Sequence, residues 1–145
     1  MTVIRQEDFV QSIADALQYI SYYHPPDFIQ AMDQAYEKEQ NPAAKDALAQ
    51  ILINSRLCAE GHRPVCQDTG IVTVFLKIGM AVIWQTKSSV SIADMVNEGV
   101  RLAYRNPDNI LRASIVLDPM GQRINTQDNT PAVIHMELVP GSTVS

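Results

Sequence analysis

The hydrophobic pattern of this chain changes character at Gly70, from all-helical to mixed, and that switch limits what the chain can fold into. Before it, apolar residues recur at helical spacing in three blocks. Phe9, Ile13, Leu17 and Ile20 share one face of a helix expected over 7–22, and Pro25-Pro26 stops it. A second helix is expected over 27–40, with Phe28, Ile29, Met32 and Tyr36 on its inner side. Asn41-Pro42 couples a capping side chain to a first-turn proline. It starts a third helix that runs to about Ala59, with Ala44, Leu48, Ile51, Leu52 and Ser55 inward and Gly61 as terminator. After the switch, 71–80 (IVTVFLKIGM) is β-branched and apolar and reads as a strand, which 81–86 continues or accompanies on its return. Ser91, with Asp94 three positions on, caps a helix expected over 91–105. Asn106-Pro107-Asp108-Asn109 makes a turn, 114–117 a short strand, 118–121 a turn, and 132–139 a half-buried alternating strand. No internal repeat is visible. The expected class is α+β: a helical N-terminal part followed by mixed β-strands with a helix, in one domain over 1–145.

At 145 residues, 46% hydrophobic and 19% charged, the chain can build one real core. A net charge of -5 without any basic stripe argues against nucleic acid. No apolar run is long enough to span a bilayer. The first nine residues hold Arg5, Glu7 and Asp8 rather than an apolar leader segment, so a cytoplasmic location is the expectation. In that reducing compartment Cys58 and Cys66 are not expected to form a disulfide. Ser145 directly follows Pro140-Gly141-Ser142-Thr143-Val144, where the chain leaves one strand and enters another, which reads as a domain cut from a longer protein.

The chemistry concentrates in His62-Arg63-Pro64-Val65-Cys66-Gln67-Asp68-Thr69-Gly70, a loop between the third helix and the first strong strand. A soft ligand, an amide, a carboxylate, a hydroxyl and a glycine occupy successive positions. The residues allow several chemistries. Cys66 is a nucleophile helped by Asp68 or His62, or a ligand for zinc or an iron–sulfur cluster, or an ordinary buried thiol. A complete zinc site within the chain is not expected, because two cysteines and three scattered histidines show no ligand spacing.

Pro64-Val65-Cys66-Gln67-Asp68-Thr69-Gly70 is similar to the P-x-C-Q-D-T-G signature of class I fumarases and of the α subunit of L-tartrate dehydratase. Asn109-Ile110-Leu111-Arg112-Ala113-Ser114 resembles the family's N-x-L-R-x-S segment. Asn125-Thr126, Asn129-Thr130-Pro131-Ala132, His135 and Leu138-Val139-Pro140-Gly141 resemble its N-T-x-x-N-x-P-A stretch and following V-P-G. The matches run in order over roughly the last two thirds of the chain; the helical N-terminal third carries no motif.

The resemblance implies a [4Fe-4S] cluster on three cysteine thiolates, with one open iron acting as a Lewis acid on a small dicarboxylate. Cys66 matches the first ligand. Gln67 and Asp68 match a substrate-contacting pair, with Asp68 binding the substrate hydroxyl or helping to move a proton. Arg112 matches an arginine that clamps a substrate carboxylate. Thr69 and Gly70 are expected to shape the loop. Only one of the three cluster cysteines is identifiable, since Cys58 matches no ligand position. The other ligands and the base are expected beyond Ser145, so the chain alone is expected neither to hold a stable cluster nor to catalyse. The implied function is interconversion of (S)-malate and fumarate by the N-terminal part of a hydro-lyase catalytic domain, homodimeric in the full-length parent. The alternatives are an L-tartrate dehydratase α-type subunit and, from another class, a non-catalytic cysteine-containing binding domain.

Simpler readings stand beside these. Arg112 pairs with Asp108 or Asp118 at the surface; His135 is a strand histidine; His62 is a solvated helix end. His24 decorates a loop, Asn125, Asn129 and Thr130 serve turns, and Trp84 and Tyr22-Tyr23 pack.

Overall fold

Capping and proline chemistry set the helices. The computed structural model describes residues 2–87 and 89–145. In chain order it contains β1 (Thr2–Arg5), α1 (Gln6–Tyr22), α2 (Pro26–Lys38), α3 (Pro42–Gly61), β2 (Thr73–Gly79), β3 (Val82–Gln85), α4 (Ile92–Tyr104), β4 (Val116–Leu117), β5 (Ile124–Asn125) and β6 (Val133–Val139). The class is α+β. Two compact units divide it: residues up to Leu17 together with Asp68–Ser145, and Gln18–Gln67.

In the Gln18–Gln67 unit, Pro26 occupies the first turn of α2, where its missing N–H costs nothing. The Asn41 side chain accepts from the backbone N–H groups of Ala43 (3.0 Å) and Ala44 (3.4 Å), satisfying donors that α3 would otherwise leave open. Ser55 and Cys58 are buried on α3. Ile51, expected inward, is 42% exposed, because the inward stripe runs through Ala44, Leu48, Leu52 and Ser55 to Cys58 and passes beside it. Gly61 is the last residue of α3 rather than its terminator. His62 takes the left-handed position, at φ 48°. Its ring stacks on Tyr22 at 4.7 Å, an interaction a glycine there would lack.

The core of the other unit is built on α4, whose Met95, Val96 and Val100 are fully buried. Phe9, Val10 and Ala14 of α1, Leu76 and Ile78 of β2, and Val72 and Leu111 pack around them. Ile20, expected on the apolar face of α1, is 63% exposed; it lies beyond Leu17, the last α1 residue that packs on this core. Ser91 and Asp94 form a reciprocal capping box at the start of α4.

β2 pairs in parallel with β6, from Thr73↔Val133 to Gly79↔Val139. The chain's last residues lie antiparallel along the other edge of β2, with Lys77 N–H donating to the Ser145 carbonyl at 2.8 Å. β3 neither continues β2 nor returns beside it. It pairs in parallel with β1, from Thr2↔Val82 to Arg5↔Gln85. β1 is four residues long and its partner is distant in sequence, so no local pattern announces it. The strand expected over 114–117 shortens to Val116–Leu117, paired antiparallel with β5. The Ser114 and Ile115 N–H groups are taken by the side chain of Asn129 instead of a ladder.

Gly99 lets α4 approach α1. A Cβ there would lie 2.6 Å from Ile13 Cβ and 2.8 Å from the Val10 carbonyl oxygen, which belongs to backbone and cannot step aside. Gly61 meets only the flexible Arg63 side chain, at 3.7 Å or more. Gly99→Ala is therefore expected to destabilise by about 1–3 kcal/mol through overpacking. Gly61→Ala is expected to stabilise by about 0.5–1 kcal/mol through helix propensity. Urea midpoints of the two variants against wild type check the opposite signs.

Candidate active site

The signature loop is divided at the unit boundary: Pro64–Gln67 belongs to one unit and Asp68–Gly70 to the other. On the first side the backbone is pinned just before Cys66. The Val65 N–H donates to the Ser21 carbonyl (2.8 Å), and the Val65 carbonyl accepts from Asn54 Nδ2 (3.0 Å). The buried Cys58 thiol contacts the Pro64 carbonyl oxygen with Sγ at 3.5 Å. Cys58 thus supports the loop. Cys66 itself is an exposed thiol, not joined to Cys58 in a disulfide. Gln67 is exposed. His24, expected as loop decoration, instead stands 3.0 Å from the hydroxyl of buried Ser55 and stacks on Phe28.

On the second side Thr69 and Asn129 tie the loop to the Arg112 segment, and Asp68, Tyr104 and Asn125 brace the two ends. Asp68 Oδ1 accepts from the Gly70 N–H at 3.1 Å, a side-chain turn that Gly70 permits by sitting at φ 62°. The Thr69 hydroxyl donates to the Arg112 carbonyl. Tyr104 Oη donates to the Thr69 carbonyl at 3.5 Å. Asn129, with no exposed surface and at φ 58°, uses both ends of its amide. Its Oδ1 accepts from Ser114 N–H (2.6 Å) and Ile115 N–H (3.1 Å), and its Nδ2 donates to the Gly70 carbonyl (3.0 Å). Asn125 Nδ2 adds a bond to the Ala113 carbonyl at 2.8 Å.

Asp68 and Arg112 are therefore held by one hydrogen-bonded framework within one unit, while Cys66 and Gln67 belong to the other. The Asp68 and Arg112 side chains are both exposed. Among the described residues Arg112 makes no ion pair, so the surface pairings with Asp108 or Asp118 do not form. His135 is exposed and stacks on Phe75 at 4.8 Å, and Trp84 packs edge-on against Phe9 at 5.1 Å. Asn129 was legible in sequence only as a turn residue. Its burial comes from contacts distant in sequence.

A cavity of about 510 Å³ lies elsewhere on the Asp68–Ser145 part. Asp94, Asn97, Glu98 and Arg101 of α4 line it opposite Thr126, Asp128 and Thr130. Asp128 anchors this side. Its Oδ1 accepts from Thr130 N–H (3.1 Å) and Oγ1 (2.7 Å), and its Oδ2 from Arg101 Nε (3.1 Å). Burial alone would push its carboxyl up, but these donors outweigh burial and hold it below the usual carboxylate value. Arg101 also pairs with Glu98. Thr126, Thr130 and Pro131 of the motif-bearing 125–132 stretch line this cavity, whereas neither Arg101 nor Asp128 carries a motif signal.

Among the described residues no three His, Cys, Asp or Glu side chains gather to hold a metal ion. The chain offers the Cys66 thiol as one soft ligand, and a cluster needs further thiolates from outside the residues identified in it.

Residues 10–145 match the family model described as fumarate hydratase (fumerase), and the chain belongs to that family. It is also 33% identical over 91 residues to a Methanocaldococcus jannaschii protein named "Putative L(+)-tartrate dehydratase subunit alpha". That match covers 63% of this chain and 31% of the relative, so the chain spans about a third of that protein's length.

The depressed Asp128 carboxyl has a consequence for acid stability. The unfolded chain binds this proton more tightly than the folded one. The stabilisation is thus complete above the ordinary carboxylate value of about 4 and is lost as pH falls through the lower folded value. Asp128→Asn is expected to cost about 1–3 kcal/mol at pH 7 and to lose less stability than wild type on acidification. Thermal melts between pH 7 and pH 2 check both.

Proposed function

We propose that this chain is the N-terminal part of the catalytic domain of a [4Fe-4S] hydro-lyase that reversibly dehydrates a small hydroxy-dicarboxylate, with (S)-malate and fumarate as the pair. Membership of the fumarate hydratase family supports the reaction class. The observation that carries the site is the framework of Thr69 and Asn129, which fixes the Asp68 loop against the Arg112 segment. The Asp68 carboxylate and the Arg112 guanidinium, both exposed, are then presented from one compact unit.

Dehydration removes a proton from carbon, breaks the neighbouring C–O bond and releases water, leaving a C=C bond. When bound, the cluster supplies a Lewis-acidic iron for the substrate hydroxyl, and Cys66 would be one of its thiolate ligands. The chain's own residues bind and orient. The Arg112 guanidinium takes a substrate carboxylate in a bidentate fork and stabilises negative charge that builds there as the carbon-bound proton leaves. Asp68 accepts from the substrate hydroxyl, or helps move a proton toward the oxygen that leaves as water. The Gln67 amide donates to a carboxylate oxygen. The base that removes the carbon-bound proton comes from outside the residues identified here, and the protein works as a homodimer. L-tartrate dehydration is the second reading, favoured by the name of the archaeal relative.

Anaerobic turnover of the enzyme carrying this sequence tests the proposal with (S)-malate, fumarate and L-tartrate as substrates. Arg112→Ala is expected to lower kcat/KM by roughly 30- to 150-fold, for about 2–3 kcal/mol of charge-assisted bonding. Arg112→Lys should recover only part of this, because an ammonium cannot reproduce the fork. Turnover of L-tartrate alone would move the assignment to the second reading. Unchanged kinetics in Arg112→Ala would remove Arg112 from the site.

A further inference from the structure

We infer that Asn129 is a positioning residue, which holds the Asp68 carboxylate and the Arg112 segment in the one relation that lets both engage the same dicarboxylate. The inference rests on the hydro-lyase reading for its kinetic part and on geometry alone for its structural part.

Asn129 is the residue where three requirements coincide. Its backbone sits at φ 58°, which asparagine tolerates better than other residues with a side chain. Its side chain offers an acceptor to two N–H groups and a donor to one carbonyl, which a primary amide does at neutral pH from two separate atoms. Its burial is complete, so water cannot replace a lost partner. The donor half reaches Gly70, whose own N–H bonds to Asp68 Oδ1. The acceptor half reaches Ser114 and Ile115, the second and third residues after Arg112. The amide therefore joins the residue that orients the Asp68 carboxylate to the backbone that carries Arg112. Thr69 cannot do this by itself: its hydroxyl bond to the Arg112 carbonyl and the Tyr104 bond to its own carbonyl leave the Gly70 carbonyl, on the following peptide, untethered.

Asn129→Asp separates the two halves. The variant is nearly isosteric and keeps an acceptor for Ser114 and Ile115, but an ionised carboxylate has no hydrogen to give the Gly70 carbonyl. Lowering the pH until the new carboxyl is protonated returns one O–H donor toward Gly70. A residue that merely supported folding would not produce that pH-dependent recovery. Asn129→Ala, which removes both halves, is the harsher comparison.

The experiment has two arms. In the first, amide hydrogen exchange is followed by NMR on this chain. At pH 7.5 the protection factor of the Gly70 amide is expected to fall at least tenfold in Asn129→Asp while Ser114 and Ile115 stay protected. Part of the Gly70 protection is expected to return near pH 5. In the second arm, the anaerobically prepared holoenzyme is assayed with (S)-malate. Asn129→Asp is expected to lose at least tenfold in kcat with a smaller change in KM, and to recover relative to wild type as pH falls. Unchanged Gly70 protection overturns the inference, as does loosened Gly70 with wild-type kcat. Equal loss of protection at Gly70, Ser114 and Ile115, with no pH recovery, also overturns it in favour of a purely structural role. A wild-type holoenzyme that dehydrates no dicarboxylate sinks the hydro-lyase reading instead, and the exchange arm then decides the clamp by itself.

Discussion

The buried amide of Asn129 is the interaction on which the organisation of the candidate site depends. Two loops with no regular ladder between them, 68–70 and 112–115, must be held together without a sheet or helix to do it. Loop backbone carries donors and acceptors that cannot be left unpaired once buried. One side chain with an acceptor at one end and a donor at the other satisfies three of them at once. The same bonds explain the local secondary structure. Because Ser114 and Ile115 give their N–H groups to Asn129 rather than to a strand neighbour, the regular ladder begins only at Val116. The rule that buried polar groups must be paired thus decides both where the strand starts and where the Arg112 segment sits.

That framework needs a rigid support, and α4 provides it. Its buried face packs on α1, β2 and Leu111, with Gly99 permitting the close approach to α1. Its polar side holds the loop that contains Asn129. Asn97 accepts from the Ala132 N–H at 2.8 Å, and Arg101 pairs with Asp128, the residue immediately before Asn129. The salt link is therefore part of the construction of the loop rather than surface decoration, since the Asp128 carboxylate is nearly buried and takes donors on both oxygens. No helix among the described residues is long and apolar enough to cross a membrane, and the apolar faces of α1 and α4 serve packing instead.

Local chemistry was legible in the sequence, and long-range geometry was not. The Asn41-Pro42 start of α3, the Ser91–Asp94 box and the β-branched run that became β2 are each decided within a few residues, so pattern alone placed them. β1 was invisible because four residues carry little periodic signal and its parallel partner is β3, far along the chain. The αL position fell to His62 rather than Gly61 because a stacking partner, Tyr22, is contributed by another helix. At the candidate site, motif resemblance singled out Cys66, Gln67, Asp68 and Arg112. It could not find the Asn129 amide as a clamp, because a turn asparagine and a buried tether look alike until the chain is folded. Arg101 and Asp128 were missed for the same reason: charged residues without a motif read as surface.

Within this member of the fumarate hydratase family the candidate residues are divided between the two units. One unit carries the Asp68 and Arg112 framework, and the other carries an exposed thiol on a pinned loop. In the proposed hydro-lyase this thiol serves an iron–sulfur cluster. The most direct measurement is iron and acid-labile sulfide per chain in the anaerobically purified enzyme carrying this sequence, wild type against Cys66→Ser. The account predicts a cluster in the wild type and a joint loss of iron, sulfide and hydro-lyase activity in the variant. Equal iron in the two proteins, or none in either with the same behaviour toward malate, would contradict it and leave the loop a structural element.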